Sequence, residues 1–174
     1  SFINFMSETS HQILNFTDLI SQSLLLISFC LKFNDKFKIL ILNDCPKITD
    51  RFFDQIVHFS HLEHLEVRGC FRITDNGIEA LAALRCLRYL DISVNATENV
   101  MTSGTSCGCP NITDASMGRL AGMSKLETLV MEGCLDVTDK GLVRLVPLRN
   151  LTSLNLSGTG LTVKGLMILK YFPE

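Results

Sequence analysis

Two groups of residues in this 174-residue chain have types, and in part spacing, that metal or redox chemistry uses. His58, His61 and His64 stand three apart with Glu63 and Glu66 among them, imidazoles and carboxylates that could ligate a divalent metal. Seven cysteines, with Cys107 and Cys109 separated only by Gly108, could hold a metal or a dithiol pair. Either chemistry needs ligands held on firm elements. The local pattern speaks against both. His58 and His61 fall where a helix ends and turns, where a cation satisfies terminal carbonyls, and His64 points out of a strand. Cys45, Cys70 and Cys134 recur at a long fixed interval, unlike the two-residue gaps of zinc sites. No phosphate-cradling glycine loop, His-Glu-x-x-His or Cys-x-x-Cys is present. The expectation is a protein that is not an enzyme and takes no cofactor or metal.

The elements that position these residues come from a repeat. In Leu62–Cys86, Leu62, Leu65 and Val67 are followed by Cys70, then Ile73-Thr74-Asp75, then Ile78, Leu81 and Leu84. The same frame starts at Phe37, Leu62, Leu87, Leu126 and Leu151, which lie 25, 25, 39 and 25 residues apart. The 39 is 25 plus a 14-residue insertion, Asn95–Gly108. A fixed period of this size means stacked units. Leu65-Glu66-Val67 alternates as a half-buried strand does. Cys70 is a small buried filler at the turn. Thr74-Asp75 starts a helix, with Asp75 expected to accept from the first-turn N–H groups. Ile78, Leu81 and Leu84 give that helix one buried face. In the last unit Thr159 takes the cysteine position and Val163 replaces the Asp.

One such unit has nothing to pack against, so copies must stack into a parallel sheet backed by helices. The fold class expected is α/β: a right-handed leucine-rich repeat solenoid, or horseshoe, with a parallel concave sheet and outer helices. Residues 37–174 form its repeats. Residues 1–36 fit the frame poorly and read as a degenerate first repeat, hinted at by Phe2, Phe5 and Phe16-Thr17-Asp18.

Outward strand positions of stacked units lie roughly 4.8 Å apart in columns along the concave face. One column runs Ile39, His64, Tyr89, Thr128, Ser153; the next Ile41, Glu66, Asp91, Val130, Asn155; a third Asn43, Arg68, Ser93, Glu132, Ser157. They read either as a solvated sheet face or as a mixed-polarity patch that binds a protein partner. For the second reading Tyr89 and Arg68 come first, since aromatic and arginine side chains dominate interface energetics.

Composition excludes some partners. A net charge of −2 with interspersed signs gives no pull toward nucleic acid, and no column is charged enough for a phosphate backbone. The longest apolar stretch, Leu24–Leu31, is broken by Ser28 and too short to span a membrane. An odd cysteine count favours a reducing compartment, cytoplasmic or nuclear. Asn-x-Ser/Thr triplets at Asn15, Asn95, Asn111, Asn150 and Asn155 point the other way, though Asn155 falls on a strand. The insertion reads as a tolerated surface loop or a rim lid over the concave face. A start at Ser1 and an end at Phe172-Pro173-Glu174 with no polar cap suggest a piece of a longer protein.

The run L-x-x-L-x-(L/V/M)-x-x-C-x-x-(I/V)-T-D-x-x-(L/I)-x-x-L, seen in Leu62–Leu81 and Leu126–Leu145, resembles the cysteine-containing leucine-rich repeat. That subtype is typical of F-box/LRR proteins, substrate receptors of SCF-type ubiquitin ligases. The resemblance covers residues 37–174 and implies a substrate-recognition module, joined to ligase components through an F-box not recognisable in residues 1–36. A non-enzymatic scaffold unrelated to ubiquitin, or an extracellular ligand-binding repeat, stays open.

Overall fold

The computed structural model describes residues 13–15, 37–94 and 111–172. In chain order the elements are β1 (Ile13–Asn15), β2 (Ile39–Ile41), α1 (Asp50–Ile56), β3 (His64–Glu66), α2 (Asp75–Leu81) and β4 (Tyr89–Asp91). Then come α3 (Asp114–Leu120), β5 (Thr128–Val130), α4 (Asp139–Leu145), β6 (Ser153–Asn155), α5 (Val163–Leu166) and a 3-10 turn, Leu169–Tyr171. The six strands form one parallel sheet in sequential order. This is the stacked α/β solenoid that the repeat frame requires.

The strand leucines set the register. Leu14, Leu40, Leu65, Leu90, Leu129 and Leu154 pair as neighbours along the sheet, as expected for the last five. The first five are at most 2 % exposed. A slip by one residue would turn each leucine to the opposite face, so burial fixes the pairing. Behind them the inward faces of the helices, Phe53, Ile56, Ile78, Leu81, Met117, Leu120 and Leu145 among them, complete one continuous core.

β1 lies 26 residues before β2 (Ile13 against Ile39) and adds a strand upstream of the clear repeats. Phe2, Phe5 and Phe16-Thr17-Asp18 lie outside the described residues. So do the insertion Asn95–Gly108 and the cysteines Cys30, Cys107 and Cys109.

The coils of β2, β3, β5 and β6 leave their strands through one tight turn. Gly69 stands at φ 70°, immediately before Cys70, and Gly133, Gly158 and Asp44 hold the equivalent left-handed position. Only glycine enters that region without a Cβ penalty, and Asp or Asn at a small one. The next residue then dives inward. Cys45, Cys70 and Cys134 are at most 1 % exposed, as expected of core thiols. The Cys70 thiol donates to the carbonyl of Leu42 (3.2 Å) and Cys134 to that of Ile92 (3.8 Å), both one coil back. In the last coil the Thr159 hydroxyl donates to Leu156 O at 2.7 Å instead.

The helix starts differ from expectation in one respect. The N-cap is the threonine. Thr74, Thr113, Thr138 and Thr162 accept through Oγ1 from the N–H two residues on, at 3.1–3.3 Å. The aspartate that follows turns instead to the next coil. Asp50 Oδ1 and Oδ2 accept from the backbone N–H and hydroxyl of Thr74, at 2.8 and 2.7 Å. Asp75 does the same for Thr113, Asp114 for Thr138 and Asp139 for Thr162. In α2, α3 and α4 a two-turn helix already capped by threonine leaves its first-turn carboxylate free to lock the neighbouring coil, and Asp50 does the same in α1, where Thr49 makes no capping bond. That contact also dictates Gly77: a Cβ there would stand 2.6 Å from Asp50 Oδ1 and 2.8 Å from Phe53 Cδ2. In α3 the equivalent residue is Ser116, whose hydroxyl donates to Asp75 Oδ1.

The last coil departs from the frame as well. Leu166 and Leu169 hold the positions at which Leu142 and Leu145 are fully buried, yet they are 56 % and 43 % exposed. No described coil packs over them.

Candidate functional site

The concave columns follow from the same register. Ile39, His64, Tyr89, Thr128 and Ser153 are successive pairing partners, and so are Ile41, Glu66, Asp91, Val130 and Asn155. β1 extends these two columns with Ile13, 43 % exposed, and Asn15. Beyond the strands, Asn43, Arg68, Ser93, Glu132 and Ser157 continue in step, because the coils stay bonded there. Asp44 N donates to Arg68 O (2.7 Å), Gly69 N to Ser93 O (2.9 Å), Val94 N to Glu132 O (3.0 Å) and Gly133 N to Ser157 O (2.9 Å).

The side chains of β2 to β4 form one linked cluster. The rings of His64 and Tyr89 stack with centroids 4.0 Å apart and planes within 4°. His64 Nε2 lies 2.8 Å from Glu66 Oε1. Glu66 Oε2 accepts from Asn43 Nδ2 (2.7 Å) and from an Arg68 terminal nitrogen (3.2 Å). Asn43 in turn accepts from the Arg68 backbone N–H at 2.9 Å. Arg68 Nε stands 3.4 Å from Asp91 Oδ2, within ion-pair range but out of line for a hydrogen bond. Asp91 Oδ1 accepts from Ser93 N at 2.9 Å.

This arrangement tunes two groups. Burial pushes the Glu66 carboxyl up, but hydrogen bonds from Asn43 and His64 and the charges of His64 and Arg68 outweigh it and hold it below the usual range. Burial, with the carboxylates of Asp91 and Glu66, raises the Tyr89 phenol. Tyr89 therefore keeps its O–H at neutral pH and presents a neutral ring with a donor.

Placement divides the expected site residues. Asp91 and Ser93 are 4 % exposed and serve inside the cluster, under Arg68, whose side chain is 40 % exposed. Ile39, Ile41, Asn43, His64, Glu66, Tyr89, Thr128, Val130, Glu132 and Asn155 are half-buried, and Ser153 and Ser157 are exposed. Glu132 and Asn155 form a separate pair at 3.2 Å, so β5 and β6 are not joined to the His64–Tyr89 cluster by these bonds.

Sequence reasoning missed a further column just before the strands: Lys38, Glu63, Arg88 and Glu127, alternating in sign. Lys38 pairs with Glu63 at 2.9 Å and Arg88 with Glu127. The Lys38 bond and charge draw the Glu63 carboxyl below its ordinary value. The 25-residue frame, applied one position upstream, carries that signal.

For metal or redox chemistry the geometry offers little. His58 and His61 are exposed at the end of α1, and His64 is held by Glu66 and Tyr89. Among the described residues no group of three or more His, Cys, Asp or Glu is placed to hold a metal. One motif was passed over in the sequence: Gly104-Thr105-Ser106-Cys107-Gly108 has Gly-x-Ser-x-Gly spacing. It lies outside the described residues. Among the described residues no helix is long and apolar enough to cross a membrane.

The family model described as Leucine Rich repeat matches residues 59–82 and 148–169. Those two segments match the repeat, and the stacked α/β coils have the fold of a leucine-rich repeat solenoid. Solved leucine-rich repeat structures overlay it. The Rad7 and Elc1 complex in yeast matches with TM-score 0.62 at 23 % identity, over 90 % of this chain and 40 % of that one. The internalin inlF from Listeria monocytogenes matches with TM-score 0.55 at 22 %, over 82 % and 35 %. The internalin C2 of the same organism gives 0.50 at 22 %, over 87 % and 62 %. The chain spans less than two thirds of each. No curated protein sequence matches it.

Proposed function

We propose that this chain is a protein-binding module whose concave face captures a partner around Tyr89 and Arg68. The observation that carries this reading is the His64–Tyr89 stack fixed by Glu66. An aromatic side chain held rigid before binding loses little entropy on association, and Arg68 beside it offers a half-exposed side chain. Such a rigid aromatic–arginine pair is the composition of an interface hot spot. The net charge and mixed columns support a protein rather than a nucleic acid as partner.

The finer reading is the substrate-recognition part of an F-box/LRR receptor in the cytoplasm or nucleus. Its support is the cysteine at the strand-end turn, repeated as Cys45, Cys70 and Cys134, together with a yeast structural likeness that is itself a two-protein complex.

The test compares partner capture by the wild-type chain with Tyr89→Ala and Arg68→Ala variants, each checked by thermal melting. The reading expects the same proteins to be lost from both variants while folding persists, with ubiquitin-ligase components among the partners of the full-length protein. Undiminished capture by folded variants would contradict the site; a full-length protein with a secretory signal and no F-box would contradict the receptor reading.

A further inference from the structure

The helical side of the last two coils carries a charge pattern that the net charge hides. From Lys140 to Phe172 the chain holds five cations, Lys140, Arg144, Arg149, Lys164 and Lys170, and no carboxylate. The chain has 16 Lys and Arg against 18 Asp and Glu, which leaves 11 against 18 for the rest. The outward helix position changes character along the same direction. It is Asp54 in α1, Glu79 in α2 and Gly118 in α3, then Val143 in α4 and Met167 after α5, all exposed. Val143 is 53 % and Met167 64 % exposed, so neither is core.

Between these coils lies a groove of about 550 Å³, walled by Val143, Val146, Pro147 and Arg149 on one side and Ile168 and Tyr171 on the other. Its lining is nearly all apolar. α5 stops after four residues where the helices before it run seven, which leaves the groove between α4 and the 3-10 turn. Arg149 forms part of the wall, and Lys170 Nζ sits 4.9 Å from the Tyr171 ring centroid, a cation at the rim.

We propose that this groove docks an acidic, amphipathic segment of a partner protein. One or two apolar side chains of the segment seat against Val143, Ile168 and Tyr171, while its carboxylates meet Arg149 and Lys170. Charge complementarity selects the partner: the wall and rim supply cations, and no carboxylate of this stretch competes for them. The groove is an open depression that one or two apolar side chains of a segment can enter, whereas a bilayer presents a flat surface. Helix-in-groove capture is the recognition mode that such a surface fits. The site lies on the side opposite the concave sheet and is independent of Tyr89.

The test is a selection of random displayed peptides on the 174-residue chain, with counter-selection on Val143→Asp. Val143 is exposed, so this variant is expected to melt as wild type does; Lys170→Ser serves as a second variant. The proposal expects enriched peptides that are net acidic with apolar residues at helical spacing. Their binding should weaken at least about tenfold in Val143→Asp and become less sensitive to salt in Lys170→Ser, where Arg149 remains. Enriched peptides without acidic bias, or equal binding to Val143→Asp, would overturn it. So would binding of phosphatidylserine vesicles alone, which reassigns the surface to a membrane. A dimer that Val143→Asp converts to monomer would overturn it in favour of a second copy.

Discussion

Asp75 holds Thr113 through both carboxylate oxygens, Oδ1 on the backbone N–H at 2.9 Å and Oδ2 on the hydroxyl at 2.7 Å, across 38 residues of chain. The bond joins the helix start of one coil to the helix start of the next. Repeated at Asp50, Asp114 and Asp139, it runs along the helical side as the leucine ladder runs along the sheet. The two ladders secure the register from opposite sides of the core.

Asp75→Ala should destabilise the chain by roughly 2 kcal/mol, because it removes a charged acceptor from a backbone N–H, a threonine hydroxyl and the Ser116 hydroxyl. Chemical denaturation reads the change as a shift of midpoint at constant slope. Asp139→Ala, at the exposed end of the ladder, should cost less. Equal costs would point to a local capping role for both.

The same carboxylate makes stability depend on acid. Burial raises the Asp75 carboxyl, but bonds from Ser116 and Thr113 outweigh it, so the folded value lies below the ordinary 3.8. A depressed folded value contributes stability that is fully present above 3.8 and is lost as pH falls through it toward the folded value. Asp75→Asn should therefore show a shallower loss of stability than wild type below that pH. Parallel acid profiles for the two proteins would contradict the bonding.

Gly77→Ala should destabilise, although alanine is favoured over glycine in a helix by about 1 kcal/mol. The added methyl meets Asp50 Oδ1 and the Phe53 ring, and overpacking of this kind costs about 1–3 kcal/mol. A melt at or above the wild-type temperature would show that the two coils are not so close.

The repeat frame, the strand pairing and the inward leucines were all legible in the sequence, because each rests on a period that burial enforces. The destination of Asp75 was not. Capping rules look within one helix, where Thr74 and Asp75 are equally good candidates, and the partner Thr113 lies beyond the insertion. The glycine at 77 was the available clue, since helix interiors disfavour it without a packing reason. On the concave side the columns could be read, whereas the burial of Asp91 and Ser93 could not. Outward position on a strand says which way a side chain points, and the neighbours then decide how much of it water reaches. β1 escaped because three residues, Ile13-Leu14-Asn15, carry too little of the frame to stand out.

Cys70 tests the turn. Cys70→Asp should abolish cooperative folding, since it places a charge without a partner at a site that is 1 % exposed. Cys70→Ser should be far milder, because a hydroxyl can still donate to Leu42 O. If the aspartate variant melts like wild type, Cys70 is not in the core.

The central claim is that each coil is locked onto the next, and a double-mutant cycle between Asp75→Ala and Thr113→Val measures it most directly. The predicted coupling energy is about 1 kcal/mol, with Asp75→Ala and Thr162→Val, from coils that do not touch, serving as an additive control. Additivity of Asp75 and Thr113 within about 0.3 kcal/mol would contradict the stacking described here.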